Sequence, residues 1–152
     1  MYEETKMEKL TINLPPVELG RIDLLVETGY YNNRTEFIRA AIRKTLDSHQ
    51  EYIDSKLREY KEEYEISEKE DKKHLTTFSM GVISIGRQHF ERALANNKKV
   101  KMRVVGLLNI EKDVTPDLIL KSVEFISVSG VLKASPEIKA ALKKVKNKRK
   151  KD

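Results

Sequence analysis

The sequence predicts an α+β chain in which a strand–helix–helix module, a helical spacer and a three-copy strand–helix repeat follow one another. Three observations predict it. An apolar/polar alternation near the start runs into a doubled proline and two helical patterns. A Glu/Lys-rich stretch without proline or glycine comes next. The last half carries glycine-centred apolar segments that recur after 25 and then 24 residues. The expected divisions are 8–48 for the module, 49–74 for the spacer, 75–145 for a small solenoid-like parallel β unit, and 146–152 for a basic tail.

Lys9-Leu10-Thr11-Ile12-Asn13-Leu14 alternates strictly, so a strand there puts Leu10, Ile12 and Leu14 on one face and Lys9, Thr11 and Asn13 on the other. Pro15-Pro16 ends it. Leu19, Ile22, Leu25 and Val26 recur at helical spacing and Gly29 supplies a stop. Asn33-Arg34-Thr35-Glu36 then reads as a capping box that opens a second helix, with Phe37, Ile38, Ala41, Ile42, Thr45 and Leu46 as its apolar face. A lone strand has nothing to pair with, and about forty residues bury too little surface to stand alone. Two copies solve both problems. Antiparallel pairing sets both Leu/Ile faces against four helices and leaves a two-stranded polar ribbon narrow enough for a DNA major groove.

Lys9–Pro15, the Arg21-Ile22-Asp23-Leu24-Leu25 stretch, Gly29-Tyr30 and Asn33–Arg39 together resemble the ribbon-helix-helix family of the CopG, Arc and MetJ repressors over residues 8–48. The resemblance implies an obligate homodimer whose ribbon reads bases in double-stranded DNA through the positions held here by Lys9, Thr11 and Asn13. It further implies a phosphate held at the start of the second helix, by Asn33, Arg34 and Thr35. The side-chain chemistry agrees. Lysine donates to guanine, asparagine pairs with adenine, and threonine offers a hydroxyl and a methyl. Exposed N–H groups at a helix start favour an anion. Many family ribbons carry arginine, whereas this one has a single lysine beside Glu3, Glu4 and Glu8, which predicts modest affinity from the module alone.

Between His49 and Lys73 the second helix is expected to continue. Ile42, Leu46, His49, Ile53, Leu57, Tyr60 and Tyr64 form a narrow stripe with a period near 3.67. The stripe fits a helical dimer seam or an exposed spacer, the spacer being preferred. His49, His74 and His89 are isolated from one another in sequence, whereas metal-responsive family members use clusters of His and Cys; no metal and no cofactor are expected.

In the last half, Ser79–Ile85, Val104–Ile110 and Val128–Ala134 align on Gly81, Gly106 and Gly130. Thr115-Pro116-Asp117 and Ser135-Pro136-Glu137 each present a hydroxyl cap, proline at the first helical position and an acid beside it. The first copy departs, with Arg87–Leu94 as its helix and no proline. The glycines are expected to stack as a column or a shared bulge, since no phosphate-loop pattern surrounds them. Exposed edges of so short a stack would favour further pairing, giving a tetramer or larger, or a contact with another protein.

The 152 residues carry a net charge of +6, but residues 1–50, 51–74 and 75–152 carry −1, −3 and +10. Lys143, Lys144, Lys146, Lys148, Arg149, Lys150 and Lys151 concentrate the excess in a run expected to be a frayed, solvated tail with non-specific attraction for phosphate. The lack of cysteine excludes disulfides and thiolate chemistry, and no catalytic motif is visible, so no enzyme is expected. No window is apolar enough for a membrane span, and Met1–Lys6 lacks the apolar run of a signal peptide, so a cytoplasmic location is expected. The expected function is a sequence-specific transcriptional regulator of prokaryotic type, acting as a repressor. An antitoxin of a toxin–antitoxin pair and a plasmid-partition or conjugation accessory that bridges DNA are the alternatives.

Overall fold

A computed structural model describes residues 7–70 and 72–149. Its elements are α1 (Pro16–Glu27), α2 (Arg34–Ser48), α3 (Gln50–Glu70), β1 (His74–Ile85), α4 (Arg87–Ala95), β2 (Lys99–Ile110), α5 (Pro116–Ser122), β3 (Val123–Lys133) and α6 (Pro136–Arg149). They fall into two compact units, Met1–Ile53 and Asp54–Asp152.

In the first unit, residues 7–15 belong to no regular element. The strand expected at 9–14 is therefore not formed within one chain. A strand exists only as a paired object, and the single chain offers these residues no ladder. Pro15 caps α1, Pro16 occupies its first turn, and the Leu19 N–H donates to the Pro15 carbonyl at 3.1 Å. The helix ends in a Schellman motif. The Tyr30 N–H reaches the Leu25 carbonyl and the Gly29 N–H reaches that of Val26, with Gly29 at φ +81°. At the start of α2, Asn33 Oδ1 accepts from the Glu36 N–H at 2.9 Å. The returning arm of the expected capping box goes elsewhere. Glu36 accepts from the backbone N–H and the side-chain amide of Asn32, one residue earlier, at 2.7 and 2.8 Å.

The helix expected to run unbroken from the module into the spacer is interrupted. At His49 the backbone turns to φ −109°, ψ 9°, and its N–H bonds to Leu46 in a tightened last turn; α3 starts at the next residue. The break carries no proline or glycine.

The second unit is built on a three-stranded parallel sheet in the order β1-β2-β3. Gly81, Gly106 and Gly130 pair in register across it, at φ +116°, +133° and +129°. A Cβ on Gly106 would fall well inside van der Waals distance of the Gly81 carbonyl oxygen, and one on Gly130 would meet the Gly106 carbonyl in the same way. All three strands carry a positive φ at one level, a conformation that favours glycine, and at Gly106 and Gly130 the close carbonyl leaves no room for a side chain.

Burial alternates along β2: Val100, Met102, Val104, Leu108 and Ile110 enter the core. Phe90 and Ala93 of α4, Leu118 and Ile119 of α5, and Ile138 and Ala141 of α6 join them in one apolar cluster. On the opposite side, Tyr64 of α3 is buried against Phe78, and the Arg103 guanidinium lies 4.2 Å from the Tyr60 ring centre. The end of the spacer stripe thus packs on the sheet, which α3 reaches through two aromatic rings large enough to cover charged strand residues.

Capping follows a shared logic with one substitution. Thr115 accepts from the Leu118 N–H and Ser135 from the Ile138 N–H, each at 3.3 Å. For α4, which has Gly86 in the cap position, Asp113 from the loop after β2 accepts the Arg87 N–H instead. That helix ends in a second Schellman motif, with Asn97 at φ +53°. From Lys143 to Arg149 the run is helix and not a frayed tail, because α6 continues to Arg149; Lys150 and Lys151 lie outside the described residues. Ile138, Ala141, Leu142 and Val145 recur at helical spacing and hold that face against the core.

Candidate nucleic-acid interface

The alternation at 9–14 has a physical outcome even without a ladder. Leu10, Ile12 and Leu14 line an apolar groove of about 560 Å³ with Ile22 and Leu25 of α1 and the α2 face that begins at Phe37 and Ile38. The groove is incomplete. Leu10, Ile12 and Leu14 are 75%, 47% and 37% exposed, and among the described residues of this unit only Ile22 is a buried apolar residue. Lys9, Thr11 and Asn13 are exposed and do not line the groove.

The start of α2 gathers Asn33, Arg34 and Thr35, all exposed. Arg34 is already engaged. Its Nε and Nη2 donate to the two carboxylate oxygens of Asp23 in α1, both at 2.6 Å. The Arg34 hydrogen bonds hold the Asp23 carboxyl below its ordinary range, and Asp23 raises the Arg34 guanidinium in turn. With Glu36 beside the same turn, Asp23, Arg34 and Glu36 sum to one negative charge. What remains for an anion here is the Thr35 hydroxyl, the first backbone N–H groups of the helix, and the Arg34 N–H groups that Asp23 does not take.

Two residues near this surface escape the sequence pattern. Asp23 lies eleven positions before Arg34, outside any helical repeat, so only the packing of α1 on α2 joins them. Arg39 sends its Nη2 to the Met7 sulfur at 3.6 Å, which sets a cation two residues before Lys9. Its place on the polar side of α2, next to Ile38, is the one signal the sequence offers for it.

Lys143, Lys144, Lys146 and Lys148 lie exposed on α6 in the second unit. The Arg149 side chain, Lys150, Lys151, Glu3 and Glu4 lie outside the described residues. No helix among those described is long and apolar enough to cross a membrane.

The exposed polar positions of 9–13, the apolar groove behind them and the capped start of α2 all lie within the stretch that a family of DNA-binding regulators matches. The chain belongs to the ribbon-helix-helix transcriptional regulator family, which matches residues 5–139 and so reaches well past the 8–48 module into the sheet unit. It is similar to the transcriptional regulator CdrS of Halobacterium salinarum, at 37% identity over 43 residues, covering 28% of this chain and 78% of that protein. It is also similar to an uncharacterised protein of Methanocaldococcus jannaschii, at 38% identity over 39 residues, covering 26% of this chain and 40% of that one. No solved structure matches.

Proposed function

We propose that this protein is a sequence-specific transcriptional repressor that works as a homodimer. Residues 9–14 of two chains pair antiparallel, and Lys9, Thr11 and Asn13 of each chain read base edges in the major groove. The observation that carries this reading is the separation of faces: Leu10, Ile12 and Leu14 line an open apolar groove, while Lys9, Thr11 and Asn13, which alternate with them, are exposed and take no part in its lining. A second copy of the segment closes the groove and satisfies the strand's backbone in one step.

Asn33, Arg34 and Thr35 position the dimer on phosphates. The Asp23 pair holds the Arg34 fork in one orientation, and the local negative charge limits the affinity this contact adds. Lys143 and Lys146 of α6 add sequence-independent attraction for phosphate. In the second unit, β1 and β3 are the outer strands of the described sheet, which supports pairing of dimers into a tetramer on adjacent half-sites. An ordered sheet unit of this size favours a regulator that assembles over an antitoxin with a disordered toxin-binding tail.

Selection and sequencing of genomic fragments bound by the full-length protein tests the proposal. One recurrent operator with two-fold symmetry is expected, and Asn13→Ala should lose about 1–3 kcal/mol of discrimination at one base position. Binding that ignores sequence, or unchanged discrimination in that variant, would sink the base-reading assignment.

A further inference from the structure

A second cleft, of about 590 Å³, lies wholly within the sheet unit, where the starts of β2 and β3 meet α5 and α6. Leu120, Val123 and Val145 give it an apolar floor, and Lys99, Lys144 and Lys148 surround them. The floor is held in place because Val123 and Val145 also pack in or against the core. The charge balance is uneven. Glu124 is the acid among the lining residues, and its Oε2 is 2.6 Å from Nε2 of His74. Lys144 and Lys148 are one helical turn apart, and like charges so placed destabilise a helix. Their position near the α6 C-terminus offsets part of that cost through the helix dipole, but the dipole gives no reason for a third cation, Lys99 from β2, at the same cleft.

We infer that this cleft binds an organic phosphate of nucleotide size, with its phosphates against Lys99, Lys144 and Lys148 and its body on Leu120, Val123 and Val145. Phosphate is the fitting anion because three lysine ammonium groups, compact point charges on flexible stems, converge on one cleft and can share the several oxygens of a phosphate chain. The apolar floor calls for a ligand with a non-ionic body in place of a bare inorganic ion, and the volume lies in the range of small-molecule sites. The site does not depend on how the first unit reads DNA.

The test is fluorescence anisotropy of a fluorescent ATP analogue with the full-length protein at fixed ionic strength. Saturable binding of one probe per chain is expected, weakened about tenfold or more in the Lys144→Gln/Lys148→Gln variant and also weakened in Lys99→Gln. A Lys112→Gln/Lys139→Gln variant removes equal charge away from the cleft and should bind within about twofold of the parent. Unlabelled ATP should compete better than inorganic pyrophosphate, since only ATP can use the floor. Absent binding overturns the proposal, as does equal weakening in the Lys112/Lys139 variant, or pyrophosphate competing as well as ATP. Displacement of the probe by duplex DNA of arbitrary sequence would assign these lysines to the DNA backbone and overturn it as well. Lys144 and Lys148 are solvent-exposed, and unchanged thermal unfolding of the variants shows that a loss is not misfolding.

Discussion

The two units solve the burial problem in opposite ways. In the sheet unit, Phe90, Met102, Leu108 and Ile119 have almost no access to solvent, and helices from all three strand–helix segments enclose them. In the helical unit, the apolar side chains needed for a core are present but open, with Leu10 and Ile12 largely exposed beside the groove. The sheet unit completes its core within one chain, and the helical unit must complete it in another. Stability of the sheet unit is therefore a property of the chain, whereas stability of the DNA-reading unit depends on protein concentration.

That contrast breaks most sharply at Ile12. Ile12→Asp places an unpaired carboxylate at the proposed seam in both copies, and a loss of about 3–5 kcal/mol per site is expected. Sedimentation equilibrium should show monomers, with circular dichroism of the sheet unit retained; a stable dimer would refute the seam. Phe90→Ala should cost the sheet unit about 3–5 kcal/mol through the cavity it leaves. Denaturant titrations at several protein concentrations should give the same loss each time, and a concentration-dependent loss would erase the distinction between the units.

The glycine column sharpens the comparison within the sheet. Gly106→Ala meets both a strained backbone and the Gly81 carbonyl, so a loss above about 3 kcal/mol is expected. Gly81→Ala meets only the strain, because nothing stands near its Cβ, and about 1–2 kcal/mol is expected. Equal melting temperatures for the two variants would contradict the stacked arrangement.

The smallest effect belongs to the surface pair of Asp23 and Arg34. Because Arg34 holds the Asp23 carboxyl below its ordinary value of about 3.9, the pair's contribution is complete above that value and fades as pH falls through the lowered one. Carbon-detected NMR titration of Asp23 should show the lowered midpoint, and Arg34→Gln should return it toward the ordinary one. An unchanged midpoint would mean that the pair does not persist in solution.

Much of the architecture was legible along the chain, for reasons visible at single residues. Pro16 starts α1 and Gly29 ends it; Asn33, Thr115 and Ser135 cap helices where hydroxyl or amide side chains precede an apolar run. The alignment on Gly81, Gly106 and Gly130 is the register in which the strands pair. Other features had no local signature. The break at His49 lies in a run that favours continuous helix. Lys143–Lys148 reads as a charged tail until the face carrying Ala141, Leu142 and Val145 is seen against the core. The exposure of Lys9, Thr11 and Asn13 follows from a period of two, but the engagement of Arg34 by Asp23 does not.

The helix starts at Pro16, Asn33, Thr115 and Ser135, the turn at Gly29 and the division into polar and apolar faces were determined by the sequence, because each depends on neighbours within about four residues or on a short period. Tertiary structure decided the Asp23–Arg34 pair, the cap that Asp113 lends to α4, the aromatic cover from Tyr60 and Tyr64, and the lysine cleft. Each of these joins residues far apart in the chain, where only the packing of one element on another sets the distance and no periodicity records it.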